Sequence, residues 1–346
     1  MTKLLENLCS NVLVTKMKVM NSRRLTLQDY DELLKKKYVA DIVAYLKETH
    51  FSAVLQGVDA SSIKCDELEG LFKTARIMEY KKLLKYVNNF SDSFFKLFWL
   101  DFELEQLLMM LLLFKVGRNE DFGIIHSAEL VQNMELDVGI IVNAKSTADI
   151  LRGIKNRKYV AILKAELENV EPENINILLC EKKLKTYFYE QMYKHLKKCD
   201  KALKDKLEKK IVQQTDIYNL QVIYRLKKYY DYSAEAIMEF IIPYGNLADS
   251  GRKRLALCKQ IAEDYSVLFK DKQYIFNLDS NIFMETEMNK SLLNDAKKTM
   301  KMERYAQAVF WSFMSLAGLE QRNLVSVIYG IENKQDPEAI KKMLVC

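Results

Sequence analysis

Six cysteines, three histidines and 47 acidic residues are the groups of this 346-residue chain that could ligate a metal, attack a carbonyl or move a proton. Their spacing supports none of these chemistries. A zinc site needs soft ligands in short-range pairs. Cys9, Cys65, Cys180, Cys199, Cys258 and Cys346 stand far apart, and His50, His126 and His195 do not cluster with them. Scattered thiols in a chain this large read as reduced cytosolic cysteines, mostly packed as small hydrophobes. There is no glycine-rich phosphate loop ending in Gly-Lys-Ser/Thr, no pair of carboxylates placed for acid–base work and no Ser/His/Asp arrangement. No catalytic residue, cofactor, metal or small-molecule substrate is therefore expected.

What does recur is an acid three residues before an Asn or Gln, followed by an apolar helix. Asp216 precedes Asn219-Leu220 and Glu320 precedes Asn323-Leu324; Glu103 before Gln106-Leu107 is a weaker copy, and Asn11-Val12 a degraded one. A Glu-Ala-Ile follows about fifteen residues on, at Glu235-Ala236-Ile237 and Glu338-Ala339-Ile340. The amides at 11, 106, 219 and 323 are separated by 95, 113 and 104 residues. A second element keeps step. Phe51, Tyr159 and Tyr265 each follow an apolar residue by eight (Val43, Leu151, Leu257) and precede an apolar pair (Val54/Leu55, Ile162/Leu163, Leu268/Phe269). Two independent elements sharing one period of about 105 residues indicate a threefold internal repeat. The candidate site residues are Asp216, Asn219, Arg225, Glu320 and Asn323, either as partner contacts or as the repeat's structural motif. An acid and an amide at a helix start cap it and complement its dipole, the role expected of these pairs; Thr26, Ser233 and Asp336 likewise read as N-caps.

The elements that carry these residues are helices. The chain has 10 Gly and 3 Pro, where typical usage would give about 24 and 17. Sheets and dinucleotide folds spend both residues on turns and phosphate loops. The breaks that exist are few, the main ones at Gly57, Gly117–Gly123, Pro172, Pro243–Gly245, Asp249–Gly251 and Asn333–Pro337. Residues 93–115 are apolar nearly all round, as in a helix buried in a large core. Met192, Leu196, Cys199, Leu203, Leu207 and Ile211 line one face of a long helix. The same segment holds eleven lysines between Lys182 and Lys210. They read as its solvated face; the alternative is an electrostatic dock for acidic lipid or protein. A net charge of +6, from 53 basic and 47 acidic residues, gives no case for nucleic acid. The longest apolar run, Leu107 to Phe114, is eight residues, against ~20 for a membrane span, and residues 1–16 lack a signal-peptide pattern, so a soluble chain is expected.

The motif resembles that of the C-type subunit of archaeal- and bacterial-type rotary ATPases, equivalent to the d-type subunit of eukaryotic V-type ATPases. That family's pattern stands here as Asp216, Asn219-Leu220, Ile223, Arg225, Lys227, Glu235-Ala236-Ile237 and Ile242-Pro243-Tyr244-Gly245-Asn246-Leu247. Its later pattern stands as Glu320, Arg322, Asn323-Leu324 and Ile328, with Leu319 replacing a lysine and Val325 an arginine. Residues 23–51 are similar to its first repeat. The resemblance implies an all-α fold of three similar helical domains around a pseudo-threefold axis, forming a funnel. The domains would be 1–102 (closed by the helices of 319–346), 103–215 and 216–346. It implies a non-catalytic rotor subunit on the cytoplasmic membrane face, held between central-shaft subunits of the D/F type and the membrane-embedded proteolipid ring. ATP hydrolysis would belong to partner subunits. A helical solenoid scaffold is the alternative, disfavoured by a period far above the usual ~20–50 residues. A ring, unlike a solenoid, brings the copy near Asn11 close to that at Asn323.

Overall fold

The computed structural model describes residues 3–87, 94–125, 134–246 and 284–346. Among the described residues the chain is helical: α1 (Lys3–Asn21), α2 (Leu27–Leu34), α3 (Val39–Leu46), α4 (Ser52–Leu55), α5 (Cys65–Leu84), α6 (Phe94–Lys115), α7 (Asp121–Ile125) and α8 (Val138–Val142). There follow α9 (Thr147–Gly153), α10 (Arg157–Leu167), α11 (Ile177–Leu196), α12 (Lys201–Tyr230), α13 (Ala234–Met238), α14 (Met284–Met302), α15 (Ala306–Glu332) and α16 (Pro337–Met343). The one extended pairing among these residues is an isolated antiparallel bridge between Leu136 and Ile154. The chain divides into two compact units, one of residues 1–95 with 273–346, the other of residues 96–272.

The first unit is organised on α15. This helix packs against α1, α2, α3, α5, α14 and α16. It presents buried Phe310, Phe313, Leu324, Val327 and Ile328 to them, and each such side chain contributes roughly 1.5–3 kcal/mol. One core joins Leu324, Val327, Ile328, Ile331, Ile340 and Leu344 to Leu33, Ile42, Val43, Leu46, Phe51 and Phe72. Helix α15 stops at Asn333, where Lys334 turns to φ 54° and the Gln335 N–H bonds back to the Gly330 carbonyl at 2.9 Å. A Cβ at Gly330 would lie 2.7 Å from the Ile340 side chain, so glycine lets α16 seat closely. Thr26 caps α2 in a reciprocal box with Asp29, as its position predicts. Ser233 caps α13 through the Ala236 N–H, while Asp336 stands at the N-cap of α16 without a side-chain bond.

In the second unit α10 packs on α11, and α11 on α12. The apolar face expected over 192–211 spans two helices and not one. Helix α11 ends at Leu196, and α12 begins at Lys201 with Asp200 accepting the Leu203 N–H at 3.0 Å. Three- and four-residue spacing survives the turn because both helices turn an apolar face inward, and Asp200 fits an N-cap as well as an ion-pair partner. The repeat pattern at Phe51/Val54/Leu55 and Tyr159/Ile162/Leu163 has matching burial: buried, half-buried, buried. Val43 is buried where Leu151 is half-buried. The third copy, with Leu257, Tyr265, Leu268 and Phe269, lies outside the described residues, as do Leu247 and the break at Asp249–Gly251.

Candidate functional site

The acid–amide pairs sit in helix interiors. Glu103 and Gln106 lie within α6, Asp216 and Asn219 within α12, Glu320 and Asn323 within α15. The expectation that they begin and cap helices is therefore corrected. An i,i+3 pair shares a helix face anywhere along the helix, so spacing alone does not separate a first turn from a middle one.

Asn219 and Asn323 make the same device. Asn323 is 4 % exposed; its Oδ1 accepts the Val345 N–H at 2.9 Å and its Nδ2 donates to the Val345 carbonyl at 3.0 Å. Asn219 is 0 % exposed; its Oδ1 accepts the Ile242 N–H at 2.9 Å and its Nδ2 donates to the Ile242 carbonyl at 3.1 Å. A primary amide offers a donor and an acceptor side by side, matching one extended residue's N–H and C=O. Each asparagine thus pins the backbone 22 or 23 residues downstream, just past the short helix that carries Glu-Ala-Ile. Gln106 is buried and bonds back to the Phe102 carbonyl at 3.3 Å. Asn11 departs from the pattern: it is exposed on α1.

Glu320 and Glu103 reach to other segments, whereas Asp216 holds the same segment as Asn219. Glu320 Oε1 accepts the Leu25 N–H at 2.8 Å; Oε2 accepts Arg24 Nη1 at 2.7 Å and lies 3.1 Å from His50 Nε2. Arg24 also bonds Glu79 at 2.9 Å and lies over the Phe313 ring at 4.6 Å. Burial pushes the Glu320 carboxyl up, but the His50 hydrogen bond, the Arg24 charge and the Leu25 N–H outweigh it and hold the group below its ordinary value. Glu103 Oε1 accepts the Glu135 N–H at 3.2 Å and Oε2 the Tyr159 hydroxyl at 2.7 Å. Burial raises Glu103, and the bonds from Tyr159 and Glu135 offset that only in part. Asp216 accepts from Asn246 Nδ2 at 3.0 Å. Gly245 passes so near, at φ 83°, that a Cβ there would fall 2.4 Å from Asp216 Oδ1.

Four of the five singled-out residues are thus buried and bonded inside the fold, each within its own unit. Arg225 is exposed on α12, where its charge acts on Glu181 and Tyr218. Sequence reasoning missed Arg24 and His50, and also Asn119, whose Nδ2 donates to the Ile141, Val142 and Ala144 carbonyls at the end of α8. The one signal for them is position: Arg24 immediately precedes the Leu25-Thr26 entry to α2. Such an arrangement clamps helices together and offers no attacking group. Among the described residues no group of three or more His, Cys, Asp or Glu could hold a metal ion, and no helix is long and apolar enough to cross a membrane.

Compared with curated proteins one by one, the chain finds no significant match. A family model described as the ATP synthase (C/AC39) subunit does match, over residues 13–343, and so takes in every acid–amide pair from Glu103 to Asn323. The chain belongs to the ATP synthase (C/AC39) subunit family, and is a subunit of the A/V-type ATPase class.

Proposed function

We propose that this chain is a non-catalytic rotor subunit that joins the central shaft, of D/F-type subunits, to the membrane-embedded proteolipid ring. In this role it transmits torque for proton or sodium transport. Three similar helical domains, 1–102 (closed by 319–346), 103–215 and 216–346, would surround a pseudo-threefold axis. The protein would lie on the cytoplasmic face of the membrane, peripheral to it. A part that carries torque has to resist bending. Helices clamped by buried amides and carboxylates, with little Gly or Pro, suit that need. Asp216, Asn219, Glu320 and Asn323 act here as the repeat's internal fasteners, and Arg225 is the candidate of the five that can meet a partner.

The observation that favours this reading over a solenoid scaffold is the junction of early and late chain. Glu320 of α15 bonds Arg24 and Leu25, and α1 packs directly on α15. An open solenoid stacks each repeat on its sequence neighbours and leaves its two ends apart. The test is co-purification: a tagged chain isolated from its own cells should recover the shaft subunits and the ring together. Recovery of the chain alone would count against the proposal. Purified chain should turn over no nucleotide above background; turnover abolished by substituting a single acid would overturn the non-catalytic assignment.

A further inference from the structure

The lysine run between Lys182 and Lys210 is not explained by the clamps, and the fold sorts it into two kinds. Some of its lysines are paired inside the chain: Lys183 with Glu166 at 2.5 Å and Lys194 with Glu190 at 2.6 Å. At the tip joining α11 to α12 the pattern changes. Lys197, Lys198, Lys201 and Lys204 are all exposed, and none of their ammonium groups pairs with a described carboxylate. From residue 194 to 204 there are five lysines and one acid, a surplus of four charges in eleven residues, in a chain whose total is +6. The single acid, Asp200, is engaged as the N-cap of α12.

Helix electrostatics make the placement of Lys201 and Lys204 unfavourable for the chain by itself. Backbone dipoles leave the N-terminal turn of a helix positive, so acids are stabilising there and lysines are not. Helix α12 is 30 residues long, has no acid in its first turn, and carries Lys201 and Lys204 there. The end of α11 accounts for Lys197 and Lys198, but folding alone gives no reason to set Lys201 and Lys204 beside them; an external anion does. Of the four only Lys197 lines the adjoining cleft, and all are lysines, point charges without the planar fork that arginine offers a single carboxylate or phosphate. Beside them Tyr193 and Tyr244 stack with centroids 4.9 Å apart, both half-buried, in a cleft that Lys194 and Lys197 share. Rings that are apolar in body and polar at the tip suit the depth of lipid headgroups.

We propose that the tip between α11 and α12 is a docking surface for the anionic headgroups of a lipid bilayer. The choice of a bilayer among anionic partners rests on the membrane-face position proposed above; the unpaired charge does not depend on it. The test is flotation of the full chain with phosphatidylcholine vesicles, with and without about 30 mol % phosphatidylglycerol, enough anionic lipid to give a negative surface potential. Binding should require the anionic lipid and should weaken as salt shortens the screening length from ~10 Å at 0.1 M to ~3 Å at 1 M. Replacing Lys197, Lys198, Lys201 and Lys204 together by Gln should weaken it by about fivefold per lysine, several hundredfold in all, with thermal unfolding unchanged. Equal flotation with and without phosphatidylglycerol, or equal flotation of parent and variant, overturns the proposal. So does a variant that keeps vesicle binding but no longer recovers the shaft subunits, which would assign the tip to an acidic protein. Recovery of shaft and ring with the unaltered chain reads the rotor proposal separately: lipid docking through the tip without that recovery would leave this inference standing and remove the other.

Discussion

Asn323→Asp tests the amide clamp with nearly no change in shape. In the parent, Nδ2 donates to the Val345 carbonyl at 3.0 Å while Oδ1 accepts the Val345 N–H at 2.9 Å. An introduced carboxylate keeps the acceptor but sets a second oxygen against the carbonyl oxygen, inside a site 4 % exposed. The folded protein then has two choices. It can leave the carbonyl unsatisfied beside a buried charge, at more than the roughly 1–3 kcal/mol of one orphaned polar group. Or it can protonate the new group, which restores the donor. With an unfolded-state pKa of about 3.9, protonation costs about 1.4 kcal/mol per pH unit above that value, so the destabilisation at pH 7 has a ceiling of about 4 kcal/mol. At pH 5 the ceiling falls to about 1.5 kcal/mol. The sign follows from linkage: the folded-state pKa of the new group is raised, so the variant loses stability relative to the parent as pH rises from about 4 upward. The assay is urea unfolding of parent and variant at pH 5 and pH 7. Trp311 lies in the first unit and Trp99 in the second, so a Trp99→Phe background makes fluorescence report the unit that holds Asn323. A deficit that is the same at both pH values, or absent, would refute the clamp.

Three further outcomes are expected. Asn219→Asp should show the same pH-dependent deficit followed through Trp99, because Ile242 takes the place of Val345; a deficit seen only through Trp311 would contradict the paired clamps. Gly245→Ala should destabilise the second unit by about 2–4 kcal/mol, from positive φ and from overpacking, since its Cβ would meet Asp216 at 2.4 Å. Gly57→Ala, with φ 87° and open space around it, should cost about 1–2 kcal/mol, and urea midpoints of the two rank them. Glu320→Gln should flatten the acid limb of stability. The parent carboxyl is held below its ordinary value, so its contribution is full above the unfolded pKa of about 4.3 and fades as pH falls through the folded one; an unchanged acid limb in the variant counts against the Arg24–Glu320–His50 network.

How much of this was legible in sequence depended on range. Helicity was, because Leu, Lys and Glu dominate and glycines mark the few turns such as Gly57 and Gly245. The i,i+3 acid–amide spacing was legible as a repeated motif, and its recurrence beside Glu-Ala-Ile pointed to the segments that Asn219 and Asn323 hold. Their position in mid-helix was not, since α15 continues through Glu320 on apolar neighbours that read equally well as a new start. The break at residues 197–200 was hidden for the same reason: buried spacing continued across it. Arg24 and His50 left no spacing pattern, only the position of Arg24 before the Leu25-Thr26 entry to α2. Glu320 lies 296 residues from Arg24 and 270 from His50, and a bond between distant segments follows from packing, which periodicity does not encode.

Whether this chain connects the shaft to the ring is read from washed membranes of cells lacking the chain, by the amount of shaft subunits they retain before and after purified protein is added back. If the chain is that link, shaft subunits leave the membrane fraction without it and return with it. Shaft subunits retained equally in its absence would contradict the rotor role.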